Sequence, residues 1–202
     1  MKRGLKNERG FTLVETLFGI SIFILILFAI TLFARNIWTF NSFISVGLSD
    51  IDSGRKMIKT VTSEIRSASS ANTGAYAIAQ ATATSFTFYS DIYDNGLKEK
   101  VRYFLSGSNL QKGVIIPTGS PLDYDPATEK ITTLLTNVTN SSIFGYYDKN
   151  YEGTTAALSS PVNISAVRLI KITVTVDKDP NKPPAPTTFS TQISFRNLKD
   201  NL

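Results

Sequence analysis

The sequence predicts an α+β fold in which one long N-terminal α-helix packs on an antiparallel β-sheet. Three observations predict it: a long apolar run near the N-terminus, a helical stripe of apolar residues after it, and alternating runs separated by turn residues in the remainder. The 202 residues, 42% hydrophobic, allow roughly one folded domain plus a membrane element. We expect four segments, at residues 1–10, 11–34, 35–72 and 73–202.

The composition excludes several classes of function. The net charge is +5, but the first ten residues hold four basic side chains (Lys2, Arg3, Lys6 and Arg9) and one acid, so the remaining chain carries only +2. A nearly neutral body lacks the basic face that nucleic acid binding requires, and we expect no nucleic acid partner for it. The absence of histidine and cysteine excludes disulfides, the usual zinc sites and His-based triads. We therefore expect neither a cofactor nor enzyme activity.

Residues 11–34 form an apolar run whose only charge is Glu15. A helix of this length, at about 1.5 Å per residue, extends about 36 Å and can cross a bilayer. The basic residues precede the run, so the positive-inside rule predicts a cytoplasmic N-terminus and an extracytoplasmic body. No small-residue cleavage pattern follows the run at residues 32–36, and we expect the segment to remain in the chain.

Glu15 is the unusual residue of this run. An ionised acid in the bilayer core costs about 2.5 to 3.5 kcal/mol on insertion scales unless it is paired or neutralised. Glu15 could lie near the inner interface and reach headgroups and water, or it could meet a cation. The acid alone leaves both interpretations open.

The stretch Gly10-Phe11-Thr12-Leu13-Val14-Glu15, between a basic leader and a long apolar helix, resembles the N-terminus of type IV pilins and type II secretion pseudopilins. The resemblance implies that a prepilin peptidase cuts between Gly10 and Phe11, removes residues 1–10 and methylates the new amino group of Phe11. It implies that Glu15 pairs with that amine of a neighbouring subunit in the filament. It also implies storage in the bacterial inner membrane, with lipid, other subunits and an inner-membrane assembly platform as partners before and during filament growth.

The stretch from Lys100 to Gln111 and the late paired strands are similar to the larger minor pseudopilins, the J-like and W-like proteins. The chain lacks the cysteine pair of many major pilins, and it lacks the proline that many carry in the apolar helix, which puts helix melting there in doubt. Glu15 is present, whereas the tip-most minor pseudopilin typically lacks this acid. A position below the tip or in the shaft follows from the resemblance.

Beyond residue 34 the helix is expected to continue, to about sixty residues in all, before the polar stretch Ser67 to Gly74 ends it. One helical face is apolar: Ile37, Phe40, Ile44, Leu48, Ile51, Ile58, Val61, Ile65 and Ala68. Its isoleucines recur every seven residues, so a coiled-coil partner is one interpretation. The polar residues opposite favour a helix lying on its own sheet. Gly47 and Gly54 could allow bending or a close approach.

Alternating residues and turn signals predict the strands. Asn95-Gly96 joins the runs 85–89 and 100–105, and Gly107 leads into 109–116, so a three-stranded meander is expected. The segment 117–161 is loop-rich, with short candidates at 131–135 and 143–147. The clearest strands are 170–176, with its aliphatic residues at even numbers, and the run ending at Phe195.

Two further groups are candidates for binding. Asp123, Asp125 and Glu129 offer oxygen ligands that calcium accepts, but they lack EF-hand spacing, so a solvated acidic turn is favoured. Tyr146, Tyr147 and Tyr151 could form an exposed binding loop or part of the core, and we favour the core.

The resulting expectation is a structural minor subunit of a type IV filament or secretion pseudopilus. A competing class is a single-pass membrane-anchored binding module that keeps its N-terminus and never polymerises. An enzyme is the third and least favoured class, because no catalytic grouping is found in the sequence.

Overall fold

The computed structural model describes residues 10–178 and 185–195, without the side chains of residues 39–50. The predicted leader charges Lys2, Arg3, Lys6 and Arg9 lie outside the described residues. The chain divides into two compact units, Met1–Val46 and Gly47–Leu202. The division falls within the long helix, between the boundaries expected from the sequence at residues 34 and 72.

The predicted long helix is present as α1, Leu13–Arg66, with 54 residues. It is slightly shorter than the sixty residues expected because it begins at Leu13, and it ends as expected at the polar stretch that starts with Ser67. In the first unit, the segment Leu13–Trp38 has a mean hydropathy of 2.8 and none of it is buried inside the chain. By length and composition this one helix can cross a membrane.

The hydroxyl groups of the apolar segment are bonded within the helix. Thr16, Ser21 and Thr31 donate to backbone carbonyl oxygens three or four residues earlier, at 2.8, 2.8 and 2.6 Å. Such bonds satisfy the hydroxyl without water or another chain. These three hydroxyl groups are therefore compatible with an apolar environment.

The second unit holds two antiparallel sheets, where the sequence predicted one. The five-stranded sheet follows chain order: β1 (Ile78–Ala81), β2 (Ser85–Ser90), β3 (Glu99–Ser106), β4 (Asn109–Ile115) and β5 (Lys130–Leu135). The three-stranded sheet contains β6 (Phe144–Tyr147), β7 (Leu169–Val176) and β8 (Thr187–Ser194). Two short 3-10 helices, Pro126–Thr128 and Ile164–Ala166, lie in the connections.

The predicted meander is confirmed as β2, β3 and β4. Its first connection spans residues 91–98 and contains Gly96 at φ +83°, and its second is the tight turn at Gly107, at φ +58°. Positive φ angles of this kind favour glycine. The short candidates at 131–135 and 143–147 are confirmed as β5 and β6. Strand β1 was missed, and it extends the meander at one edge.

The two late strands pair as predicted. The even-numbered aliphatic residues of β7 are buried: Ile170, Ile172, Val174 and Val176. Strand β8 pairs with β7 over its whole length, with Phe189 opposite Val174 and Ile193 opposite Ile170. The alternation therefore identified the buried face of β7 correctly.

The second half of α1 buries its apolar face in the core of its own unit. Met57, Val61, Ile65 and Ala68 are each at most 3% exposed and belong to one cluster with side chains of both sheets. Packing on the sheets is confirmed for Val61 and Ile65 of the predicted stripe and for Ala68, which lies just beyond the end of α1, and it is not a coiled-coil seam. Met57 was not part of the predicted stripe. Of the predicted stripe, Phe40, Ile44 and Leu48 fall among the undescribed side chains.

Gly54 of α1 lies directly against Phe189 of β8. The ring of Phe189 occupies the space that a Cβ atom on Gly54 would need. A close approach was one of the two roles expected for this glycine. The other glycine, Gly47, lies outside the described side chains.

Candidate functional site: the start of the helix

The predicted cleavage position lies just before α1 begins. Gly10 and Phe11 precede the helix, and the Phe11 side chain is 80% exposed. No atom lies within 4 Å of a Cβ atom placed on Gly10. The bond between the two residues is therefore outside regular structure and uncrowded by the described residues.

Thr12 caps the N-terminus of α1. The backbone N–H of Glu15 donates to Thr12 Oγ1 at 3.3 Å, and the backbone N–H of Thr16 donates to the Thr12 carbonyl oxygen at 3.1 Å. The sequence Thr-Leu-Val-Glu has the spacing of a capping box, which sets where a helix begins. This role of Thr12 was not predicted, although the spacing from Thr12 to Glu15 was a sufficient signal.

The cap places Glu15 in the first turn of the helix, with its side chain exposed. An acid in this turn is favoured by the positive end of the helix dipole. Within residues 10–178 and 185–195 the Glu15 carboxylate makes no ion pair or side-chain hydrogen bond. It can therefore accept a cation from another molecule.

The comparisons with known proteins identify no relative that shares this segment. The chain matches no protein-family model, and no curated protein matches it. The role of the chain is therefore inferred from the residues at the start of α1 and from the apolar segment that follows them.

In a second carboxylate of α1, that of Glu64, both oxygens accept hydrogen bonds within the second unit. Tyr103 Oη donates to Glu64 Oε2 at 2.6 Å, and Lys112 Nζ donates to Glu64 Oε1 at 2.6 Å. The side chains of Glu64 and Lys112 are each 15% exposed. Burial, with a further contribution from the Glu64 charge, raises the pKa of the Tyr103 hydroxyl far above its usual value. These contacts join the helix to β3 and β4.

The three acids considered as calcium ligands, Asp123, Asp125 and Glu129, do not form one binding group. Glu129 accepts two bonds from Arg102, at 2.9 and 2.6 Å, and Asp125 caps the 3-10 helix through the N–H of Ala127 at 2.9 Å. Asp123 accepts from the N–H of Tyr124 at 2.8 Å. Each acid has a separate partner, and no group of three or more metal-binding side chains occurs in the part of the chain that the structure describes. The solvated acidic turn describes Asp123 and Asp125, which are exposed, but not Glu129, whose side chain is only 16% exposed.

The tyrosine cluster divides into a core residue and a surface pair. Tyr146 is 2% exposed and its hydroxyl donates to the Thr82 carbonyl oxygen at 2.7 Å. Burial raises the pKa of that hydroxyl well above its usual value. Tyr147 and Tyr151 are only partly buried, and their ring centroids lie 4.2 Å apart. The core interpretation is therefore correct for Tyr146 alone.

Proposed function

We propose that the chain is a structural minor subunit of a type IV filament or a type II secretion-like pseudopilus. The observation that carries the proposal is an acid without a partner in the described chain, four residues beyond Phe11, at the start of an exposed apolar helix. By its resemblance, the subunit would be one of the larger J-like or W-like minor pseudopilins. Processing by a prepilin peptidase, followed by N-methylation at Phe11, prepares the subunit for assembly.

The apolar half of α1 supplies the contacts that hold the filament together. Large side chains are exposed around the whole segment, from Leu13 to Trp38. Lipid covers them while the subunit is stored, and neighbouring helices cover them after assembly. Since lipid is as apolar as these side chains, close van der Waals packing and polar contacts between helices favour the assembled state.

Glu15 supplies the polar contact. A charged carboxylate in an apolar environment is costly when alone, and an opposite charge close to it offsets the cost. Cleavage at Gly10 creates such a charge, because it frees the amino group of Phe11. Pairing between Glu15 of one subunit and Phe11 of the next therefore sets the axial register of the subunits.

The proposal places the chain in the bacterial inner membrane with its N-terminus in the cytoplasm and the second unit outside. This orientation is inferred from the basic residues that precede the apolar segment. Its partners are the prepilin peptidase, the assembly platform and other subunits. The sheets of the second unit then form the outer surface of the filament.

The N-terminus of the mature protein tests the proposal. We expect intact mass and terminal-peptide mass spectrometry of the chain from its native membrane to give a start at methylated Phe11. Gly10→Ala is the matched control and should reduce processing only partly or not at all, because it adds one methyl group. Gly10→Glu should leave the chain unprocessed.

A retained Met1 in the wild type, with an active prepilin peptidase in the same cells, would contradict this function. It would favour the anchored binding module, for which α1 is only an anchor. Cleaved Gly10→Glu protein would show that another protease makes the cut.

A further inference from the structure

A groove with two basic side chains lies between α1 and β8 in the second unit. It encloses about 890 Å³. Its lining comes from the last turns of α1, the residue after them and two residues of β8: Ile58, Lys59, Thr62, Ser63, Arg66, Ser67, Thr191 and Ser194. We refer to these eight residues as the cationic groove.

The charges of the cationic groove are not balanced within the described chain. No acidic residue lines it, and its two basic residues, Lys59 and Arg66, are exposed. Among residues 10–178 and 185–195, neither makes an ion pair. The two nearest acids on the helix, Asp52 and Glu64, are paired with Lys56 and Lys112.

The groove also holds a hydroxyl without a partner. Thr62 Oγ1 is buried and has no hydrogen bond, whereas Thr31 Oγ1 donates to a carbonyl one turn earlier at 2.6 Å. A helical threonine commonly makes that bond. A buried polar atom without a partner is costly, so a ligand in the groove would remove this cost once the Thr62 side chain rotates to bring Oγ1, which is closed to solvent in this structure, to the groove surface.

Helix stability alone does not explain both cations. Arg66 lies in the last turn of α1, where the helix dipole favours a positive charge, but Lys59 lies two turns earlier, where this effect has faded. Their separation of seven residues corresponds to about 10 Å along a helix, close to the ~9 Å spanned by three residues of an extended polyproline II segment, in which side chains three residues apart lie on the same side. Two separated charges of this kind fit two carboxylates along a peptide better than one headgroup.

We propose that the cationic groove binds an extended acidic segment of a partner protein. Two carboxylates three residues apart pair with Lys59 and Arg66, and the Thr62 hydroxyl bonds to the segment between them. This interaction does not depend on polymerisation, so it can hold whether or not the chain forms a filament.

Binding of a fluorescein-labelled hexaglutamate peptide tests the proposal, with hexaglutamine as the uncharged control. The full chain is purified in a non-ionic detergent and titrated by fluorescence anisotropy. We expect saturable binding of hexaglutamate only, and at least tenfold weaker binding by the double variant K59E/R66E. The matched control K130E/K149E changes the net charge equally at two exposed sites and should stay within twofold of the wild type.

Thr62→Val tests the hydroxyl separately, because it keeps the shape of the side chain. We expect up to about tenfold weaker binding, the upper end of the usual effect of a lost hydrogen bond between neutral groups. Far-UV circular dichroism confirms that each variant is folded.

Three results would overturn the proposal. The first is absence of hexaglutamate binding, and the second is equal loss in K59E/R66E and K130E/K149E, which would indicate non-specific charge attraction. The third is binding to phosphatidylglycerol vesicles that depends on Lys59 and Arg66 without any binding of the peptide. Unchanged affinity in Thr62→Val would overturn the contact assigned to that hydroxyl.

Discussion

The two halves of α1 differ in how their apolar side chains are covered. From Leu13 to Trp38 the helix is apolar on all sides and none of it is buried within the chain. From Met57 to Ile65 only one face is apolar, and that face is buried against both sheets. A helix that is apolar on all sides must be covered by lipid or by other proteins. The single apolar face of an amphipathic helix can be covered by its own domain. The first half therefore depends on other molecules, and the second half does not.

The two glutamates of α1 show the same difference. Glu64 is bound by Lys112 and Tyr103 and is 15% exposed, while Glu15 is exposed and has no side-chain partner among the described residues. Removing Glu64 should therefore damage the fold of the second unit. Removing Glu15 should affect only what happens between molecules.

The largest expected effect comes from truncating one isoleucine in each half. Ile65 is fully buried and Ile30 is 57% exposed. Ile65→Ala should lower the free energy of unfolding of the second unit by about 2 to 5 kcal/mol, because it leaves a cavity in the core. Ile30→Ala should not change it. Urea unfolding of the full chain in detergent, followed by near-UV circular dichroism of the tyrosines, measures both.

Equal losses in the two isoleucine variants would contradict the comparison. They would mean that the detergent-covered half and the core of the second unit unfold together. The transition of the wild type in two different detergents separates this case from a direct effect of the cavity.

A smaller effect is expected from the glutamates. Glu64→Ala should cost about 2 kcal/mol, because a lysine and a phenol in a mostly buried site lose a charged partner. Glu15→Ala should leave unfolding of the second unit unchanged and should still be processed, but it should assemble poorly. The same urea titration gives the first result, and the amount of the chain in sheared filaments or in crosslinked subunit pairs gives the second.

Normal incorporation of the Glu15→Ala protein would contradict pairing with the amino group of Phe11. Unchanged stability in Glu64→Ala would mean that water replaces the carboxylate without cost. Glu64→Gln distinguishes charge from hydrogen bonding at this site, since it keeps the acceptor and loses the charge.

The smallest effect is expected at two glycines. Gly54→Ala gains helix propensity but displaces the Phe189 ring, so it should lower the stability of the second unit by about 1 kcal/mol overall. Gly19→Ala has no neighbour within 4 Å and should leave that stability unchanged. Adding Phe189→Leu to Gly54→Ala should recover most of the loss. No recovery would mean that the ring is not the cause.

Local patterns were sufficient to predict much of this fold. Alternation identified β7, and Gly107 identified the turn between β3 and β4, because these signals lie within a few residues of one another. Strand β1 was missed because its residues Ile78–Ala81 lack a run of β-branched or aromatic side chains and pair with β2 over only a short stretch. The division into two sheets depends on contacts between distant segments, which no local pattern contains.

The candidate site divides in the same way. Gly10, Phe11 and Glu15 are adjacent in sequence, so their arrangement could be predicted, and Thr12 could have been included from the capping-box spacing. The Glu64 contacts could not, because Tyr103 and Lys112 are 39 and 48 residues away. The cationic groove is also formed by distant segments, since β8 follows α1 by more than a hundred residues.

The contact of Phe189 with Gly54 has a mechanical consequence. A shift of α1 by one turn, about 5.4 Å, would replace Gly54 under the ring with residue 50 or 58, each of which carries a side chain. The second unit therefore cannot slide along its own segment of the helix without lifting the ring. Within the second unit, a pull along this segment of the helix is therefore transmitted to β8 through the contact with the Phe189 ring.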